Sequence, residues 1–147
     1  MSALALVFFL LPGCFGEKEP EAIRFGVDTC AHCRMTISDN RFGGEIIMKG
    51  GKIQKFDALE CVREYAHAHN EKVQKIFFLD FYDPGQFVSS AEARFVKAES
   101  IRGPMGQDHL VMSQKTAAKR SESSESIDWL QYQKQAGAIK SSGHHQQ

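Results

Sequence analysis

Two short apolar runs, Gly44 to Gly50 (GEIIMKG) and Lys52 to Phe56 (KIQKF), meet at the glycine pair Gly50-Gly51. Two adjacent glycines between strand-like runs predict a β-hairpin, because its tight turn needs positive φ at its central residues. Asp57 follows at once, with Glu60 three residues on, and this spacing predicts an N-capped helix running to about Asn70. Its apolar stripe is Ala58, Leu59, Val62, Tyr65 and Ala66. Val73 to Tyr82 (VQKIFFLDFY) is rich in aromatic and β-branched residues and ends in Asp83-Pro84-Gly85, which predicts a strand closed by a turn. The order strand, strand, helix, strand therefore forms one small lobe.

A weaker version of this order follows. Ala93 to Lys97 (ARFVK) and Leu110 to Met112 read as strands, Gln114 to Arg120 opens a helix that the cluster Ser121 to Ser126 interrupts, and Gly137 to Lys140 reads as a last short strand. The expected fold is α+β, built from two small related lobes of ββαβ type, about 23–85 and 86–140. The polar residues 141–147 read as a disordered tail.

The N-terminus carries a different signal. Met1 to Gly13 has no charged side chain and is apolar from Ala3 to Leu11, too short a run to span a bilayer but suited to the core of a secretory signal. It ends in Leu11-Pro12-Gly13-Cys14, similar to a bacterial lipobox, so Cys14 is the expected lipidation site and residues 14–22 a tether. The chain is thus expected to be exported and held at a membrane surface. Lys and Arg total 18 against 18 Asp and Glu, and this balance argues against a basic nucleic-acid binder.

The chemistry-bearing residues lie in Asp28-Thr29-Cys30-Ala31-His32-Cys33-Arg34-Met35. A turn between Cys30 and Cys33 can aim both sulfurs at one point, and Met35 adds a thioether. Thiolate with thioether is a soft donor set that suits Cu(I) and not Mg²⁺ or Ca²⁺. Met105, in the loop Arg102-Gly103-Pro104-Met105-Gly106, is a second exposed thioether candidate, and His109 offers an imidazole four residues on. Met48 and Met112 fit a core better than a site. Cys61, beside the helix stripe, reads as a buried free thiol; His67 and His69 read as solvated, His32 as tuning its cysteine neighbours, and His144 and His145 as tail residues. A structural zinc site would need a second ligand pair, which Cys61 and a histidine could complete. A thiol-disulfide oxidoreductase using Cys30 and Cys33 is the alternative function, but a thioredoxin-like fold would place that pair at a helix start behind a central strand.

Taken in order, the lipobox-like LPGC, Cys30-Ala31-His32-Cys33-Arg34-Met35, Phe56-Asp57-Ala58-Leu59-Glu60-Cys61, Ala93-Arg94-Phe95-Val96 and Gly103-Pro104-Met105-Gly106 resemble the NosL family of small copper-binding lipoproteins. The resemblance implies two ββαβ lobes akin to part of the organomercurial lyase. It also implies one Cu(I), held by sulfur from the Cys30, Cys33, Met35 group and from Met105, for delivery to a periplasmic client, nitrous oxide reductase. Family members commonly have glycine where this chain has Arg34. No Ser-His-Asp set, phosphate-cradling loop or carboxylate pair stands out, so the expectation is a membrane-anchored carrier facing the periplasm and not an enzyme.

Overall fold

The structure is a computed structural model and describes residues 18–106, 108–120 and 125–142. The signal segment, Cys14, residues 15–17 of the tether and residues 143–147 lie outside it. Among the described residues, no helix is long and apolar enough to cross a membrane.

The expected hairpin forms. Strands β1 (Gly44–Met48) and β2 (Ile53–Phe56) pair antiparallel from Gly44 opposite Phe56 to Ile47 opposite Ile53. Gly50 and Gly51 hold φ of 92° and 85°, a region that L side chains enter only at a cost. Helix α1 (Leu59–Ala68) and strand β3 (Val73–Leu79) follow, with β3 antiparallel to the other side of β1. A short strand that the sequence reading lacked, β4 (Phe87–Ser89), pairs with β3 beyond the Asp83-Pro84-Gly85 turn. The sheet order is β2-β1-β3-β4, so the first lobe runs past its expected limit at residue 85. Leu59, Val62 and Ala66 of α1 pack with Ile46, Phe56 and Phe78 of the sheet in one core.

The helix starts differently from the expectation. Ala58, not Asp57, occupies the N-cap position, and no side chain caps α1. The Asp57 carboxylate is instead buried beneath the preceding loop, where it accepts the Ser38 N–H at 3.4 Å. The capping-box spacing is present, but tertiary contacts claim the carboxylate.

In the second lobe, β5 (Ala93–Lys97) and β6 (His109–Ser113) pair antiparallel and lead into α2 (Gln114–Lys119). The strand expected at 137–140 does not form, because those residues belong to α3 (Trp129–Ser142). Its place beside β5 is taken by Ile127, which exchanges both backbone hydrogen bonds with Phe95 at 2.8 and 2.9 Å. Strand β5 therefore lies between β6 and Ile127, as β1 lies between β2 and β3, and the ββαβ order repeats with its last strand reduced to one residue.

One core joins the lobes. Phe78 of β3 meets Phe95 of β5 edge to face at 5.0 Å, Trp129 tilts against Phe78 at 5.0 Å, and Tyr132 stacks on Phe95 at 4.5 Å. The buried Asp80 carboxylate accepts the N–H groups of Tyr82 and Ser113, tying the end of β3 to the end of β6.

Candidate metal centre

Residues 24–37 form a narrow loop laid along β2. The Gly26 N–H donates to Ile37 C=O at 2.8 Å, the Ile37 N–H to Asp28 C=O at 2.9 Å and the Cys30 N–H to Met35 C=O at 2.8 Å. Inside this frame the Arg34 N–H donates back to Cys30 C=O at 3.1 Å, closing a turn that folds Cys33 over Cys30. Arg34 reaches that bond with a φ of 67°, the one positive φ at a non-glycine residue among those described. Glycine is suited to this backbone position, and an arginine there carries strain.

Two further anchors fix the loop. The Ala31 N–H donates to Lys55 C=O on β2 at 2.8 Å. The Asp28 carboxylate takes the Lys55 ammonium at 2.8 Å on one oxygen and the Arg24 guanidinium at 2.7 Å on the other. Lys55 first, then Arg24, holds the Asp28 carboxyl far below the usual carboxylate range.

The turn brings Cys30 and Cys33 together, as their spacing predicted, and adds a third sulfur. Cys61, on the first turn of α1, lies with both so that the three Sγ atoms are all within 4.8 Å of one another. Cys30 and Cys61 are buried, while Cys33 is partly exposed and faces the way out. The Cys61 thiol donates to Cys30 Sγ, which also accepts backbone N–H groups from Asp57, Cys33 and His32. These donors outweigh burial and bring the Cys30 pKa down to about 4, whereas donation to Cys30, together with burial, pushes Cys61 well up. Cys30 is therefore the first of the pair to ionise and Cys61 the last. Burial, with the negative Cys30 sulfur nearby, pushes the Asp57 carboxyl up.

The other candidate ligands are spread out. Met35 is 53% exposed and Met105, in the loop between β5 and β6, 49%. His109 opens β6, sets its ring edge against Tyr132 at 5.3 Å and lies outside the three-sulfur group. Burial lowers its pKa. Met48 and Met112 are buried in the core, His69 stacks on Tyr65 at 4.1 Å, and His67 and His32 are exposed.

Cys61 is the residue that sequence reasoning undervalued. Its position beside the helix stripe fits a core thiol better than a ligand, and its place in Phe56-Asp57-Ala58-Leu59-Glu60-Cys61 and its use as a possible zinc ligand are the signals that mark it out. Among the described residues, no His, Asp or Glu atom joins the three sulfurs, which form a soft, three-coordinate set. That set fits Cu(I), while a closed tetrahedral zinc site needs one ligand more.

Comparison with known proteins adds two findings. The model of the NosL family matches residues 25–126, a span that contains Cys30, Cys33, Met35, Cys61 and Met105. The crystal structure of the copper chaperone NosL from Shewanella denitrificans superposes with a TM-score of 0.59 at 22% identity, covering 71% of this chain and 85% of that one. At that identity the likeness is one of fold. No curated protein sequence matches the chain significantly.

Proposed function

The chain belongs to the NosL family, and on that premise we propose that it is a Cu(I) carrier, loaded at the Cys30, Cys33, Cys61 cluster. The supporting observation is the three Sγ atoms within 4.8 Å of one another, two buried and one at the surface. Copper enters as cargo. Cys30, whose thiol pKa is lowered by the donors around its sulfur, ionises first, and Cys61, whose pKa is raised, releases its proton to solvent when it takes the ion. Met35 and Met105, both half exposed, supply further thioethers for uptake and transfer in this reading, as the family resemblance implies, with His109 as one more donor. An incoming sulfur ligand from the recipient displaces the partly exposed Cys33 first, and the ion then moves by stepwise exchange without ever being free.

In this reading the protein performs no catalysis. Cys14 is lipidated and tethers the domain to the periplasmic face of a bacterial membrane, and the recipient is a copper enzyme, nitrous oxide reductase. The structural relative from Shewanella denitrificans is a copper chaperone, which supports the same role here.

The test is anaerobic Cu(I) titration of the reduced full chain against a competing chelator. One Cu(I) per chain is expected, with affinity at least tenfold lower in Cys30→Ser and Cys61→Ser and release slowed or unbalanced in Met105→Leu. Weak binding that ignores all three changes would overturn the proposal. It would leave thiol-disulfide exchange at Cys30 and Cys33, to which a low thiol pKa also lends itself.

A further inference from the structure

Strand β2 is the outer strand of the first sheet. In its ladder with β1, the Met48 N–H donates to Lys52 C=O at 2.8 Å, and Gln54 pairs inward with Ile46. By the alternation of an antiparallel ladder, Ile53 and Lys55 turn their backbone groups away from the sheet. The Lys55 C=O is taken by the Ala31 N–H of the metal-site loop. Among the described residues, the Ile53 N–H, the Ile53 C=O and the Lys55 N–H have no partner.

These groups open into a groove of about 430 Å³ lined by Thr29, Arg34, Lys52, Ile53, Lys55 and Tyr65. Its charge is one-sided. Asp28 is the only acid in the lining, and its carboxylate is already bonded by Lys55 and Arg24. Arg34 and Lys52 are exposed and form no ion pair among the described residues.

We propose that this edge binds an acidic, extended segment of a partner protein, which adds as a fifth strand beside β2. Main-chain bonds to Ile53 and Lys55 provide the strand pairing, and carboxylates on the segment meet Arg34 and Lys52. The Ala31–Lys55 bond closes one end of the edge, so it fixes the register and sets the end of the added strand against the loop that carries Cys30 and Cys33. Lysines on a sheet edge also deter indiscriminate pairing with neutral strands, and this sharpens the preference for an acidic one. The proposal does not depend on the metal reading, since no ligand sulfur takes part.

The experiment uses the reduced, metal-free full chain, labelled with ¹⁵N, and a capped hexapeptide of sequence Glu-Val-Glu-Thr-Glu-Val. The expected result is at least tenfold slower amide exchange at Ile53 and Lys55 in the presence of peptide. Binding should weaken with salt and fall at least tenfold in Lys52→Glu, and a peptide with lysine in place of glutamate should not bind. Ile53→Pro, which removes one outward N–H and no ladder bond, should abolish protection; if it does not fold, Lys52→Glu decides. Four results would overturn the proposal: no binding, binding that leaves Ile53 and Lys55 unprotected, protection by phosphatidylglycerol vesicles but not by peptide, or protection arising from concentration-dependent pairing of two copies through β2.

Discussion

The backbone N–H of Asp57 donates to the Sγ of Cys30, joining the residue before α1 to a loop far from it in sequence. Asp57 does not cap the helix because its carboxylate is turned to the Ser38 N–H and not to the N–H groups of the first turn of α1. The start of α1 is thus positioned by the metal loop, which also sets where Cys61 points.

The Cys30 thiolate should be visible directly. In the reduced, metal-free chain, ultraviolet thiolate absorbance is expected to titrate with a midpoint near pH 4. Cys30→Ala should remove that transition. Cys61→Ala should move it upward, because the strongest of the donors that stabilise the charged sulfur is lost. A midpoint unmoved by Cys61→Ala would mean that the backbone N–H groups alone hold the charge.

Arg34 stands at φ 67°. Left-handed backbone costs an L residue roughly 1–2 kcal/mol, and glycine returns part of that gain through its freer unfolded chain. Arg34→Gly is therefore expected to stabilise the fold by about 0.5–1 kcal/mol in urea unfolding, with the denaturant slope unchanged. Loss of stability would mean that the guanidinium makes a compensating contact in solution.

Local signals in the sequence carried the first lobe well. The Gly50-Gly51 turn and the period of the helix stripe are short-range features, and the hairpin and α1 appear where they point. The failures involve segments too short to carry a period and long-range choices. Four residues such as Gly137 to Lys140 carry too little period to separate strand from helix, and the pairing with Phe95 went to Ile127. Strand β4 follows a turn that was recognised, but three residues give no alternation to read. Cys61 was legible as buried; that its neighbours would be Cys30 and Cys33 depended on how the loop docks.

The shared aromatic core predicts that the lobes unfold together. Phe95 is fully buried between Phe78, Trp129 and Tyr132. Phe95→Ala should cost about 3–5 kcal/mol, as large aromatic deletions in a core do. Tryptophan fluorescence reports Trp129 in the second lobe and far-ultraviolet circular dichroism reports both, so the two probes should give coincident transitions in the wild type. Separate transitions would show that the lobes are independent.

Glu45 makes stability depend on pH in a direction opposite to that of most carboxylates. Its side chain is fully buried on β1: one oxygen accepts the Glu21 N–H at 2.8 Å, and the other has no hydrogen-bond partner among the described residues, with the Lys55 ammonium 3.9 Å away. Burial outweighs both neighbours and raises the pKa from 4.5 to about 7. Between those two values the folded chain holds a proton that the unfolded chain has lost, so stability falls as pH rises. The contribution is complete below the unfolded value and gone above the folded one. Glu45→Gln keeps the shape of the protonated acid without its titration. It should leave stability at pH 4 nearly unchanged and raise it at pH 8 by roughly 1–3 kcal/mol, flattening the profile between. Urea midpoints of both proteins at pH 4, 6 and 8 test this, and parallel profiles would show that Lys55 closes on the carboxylate and keeps it ionised in the fold.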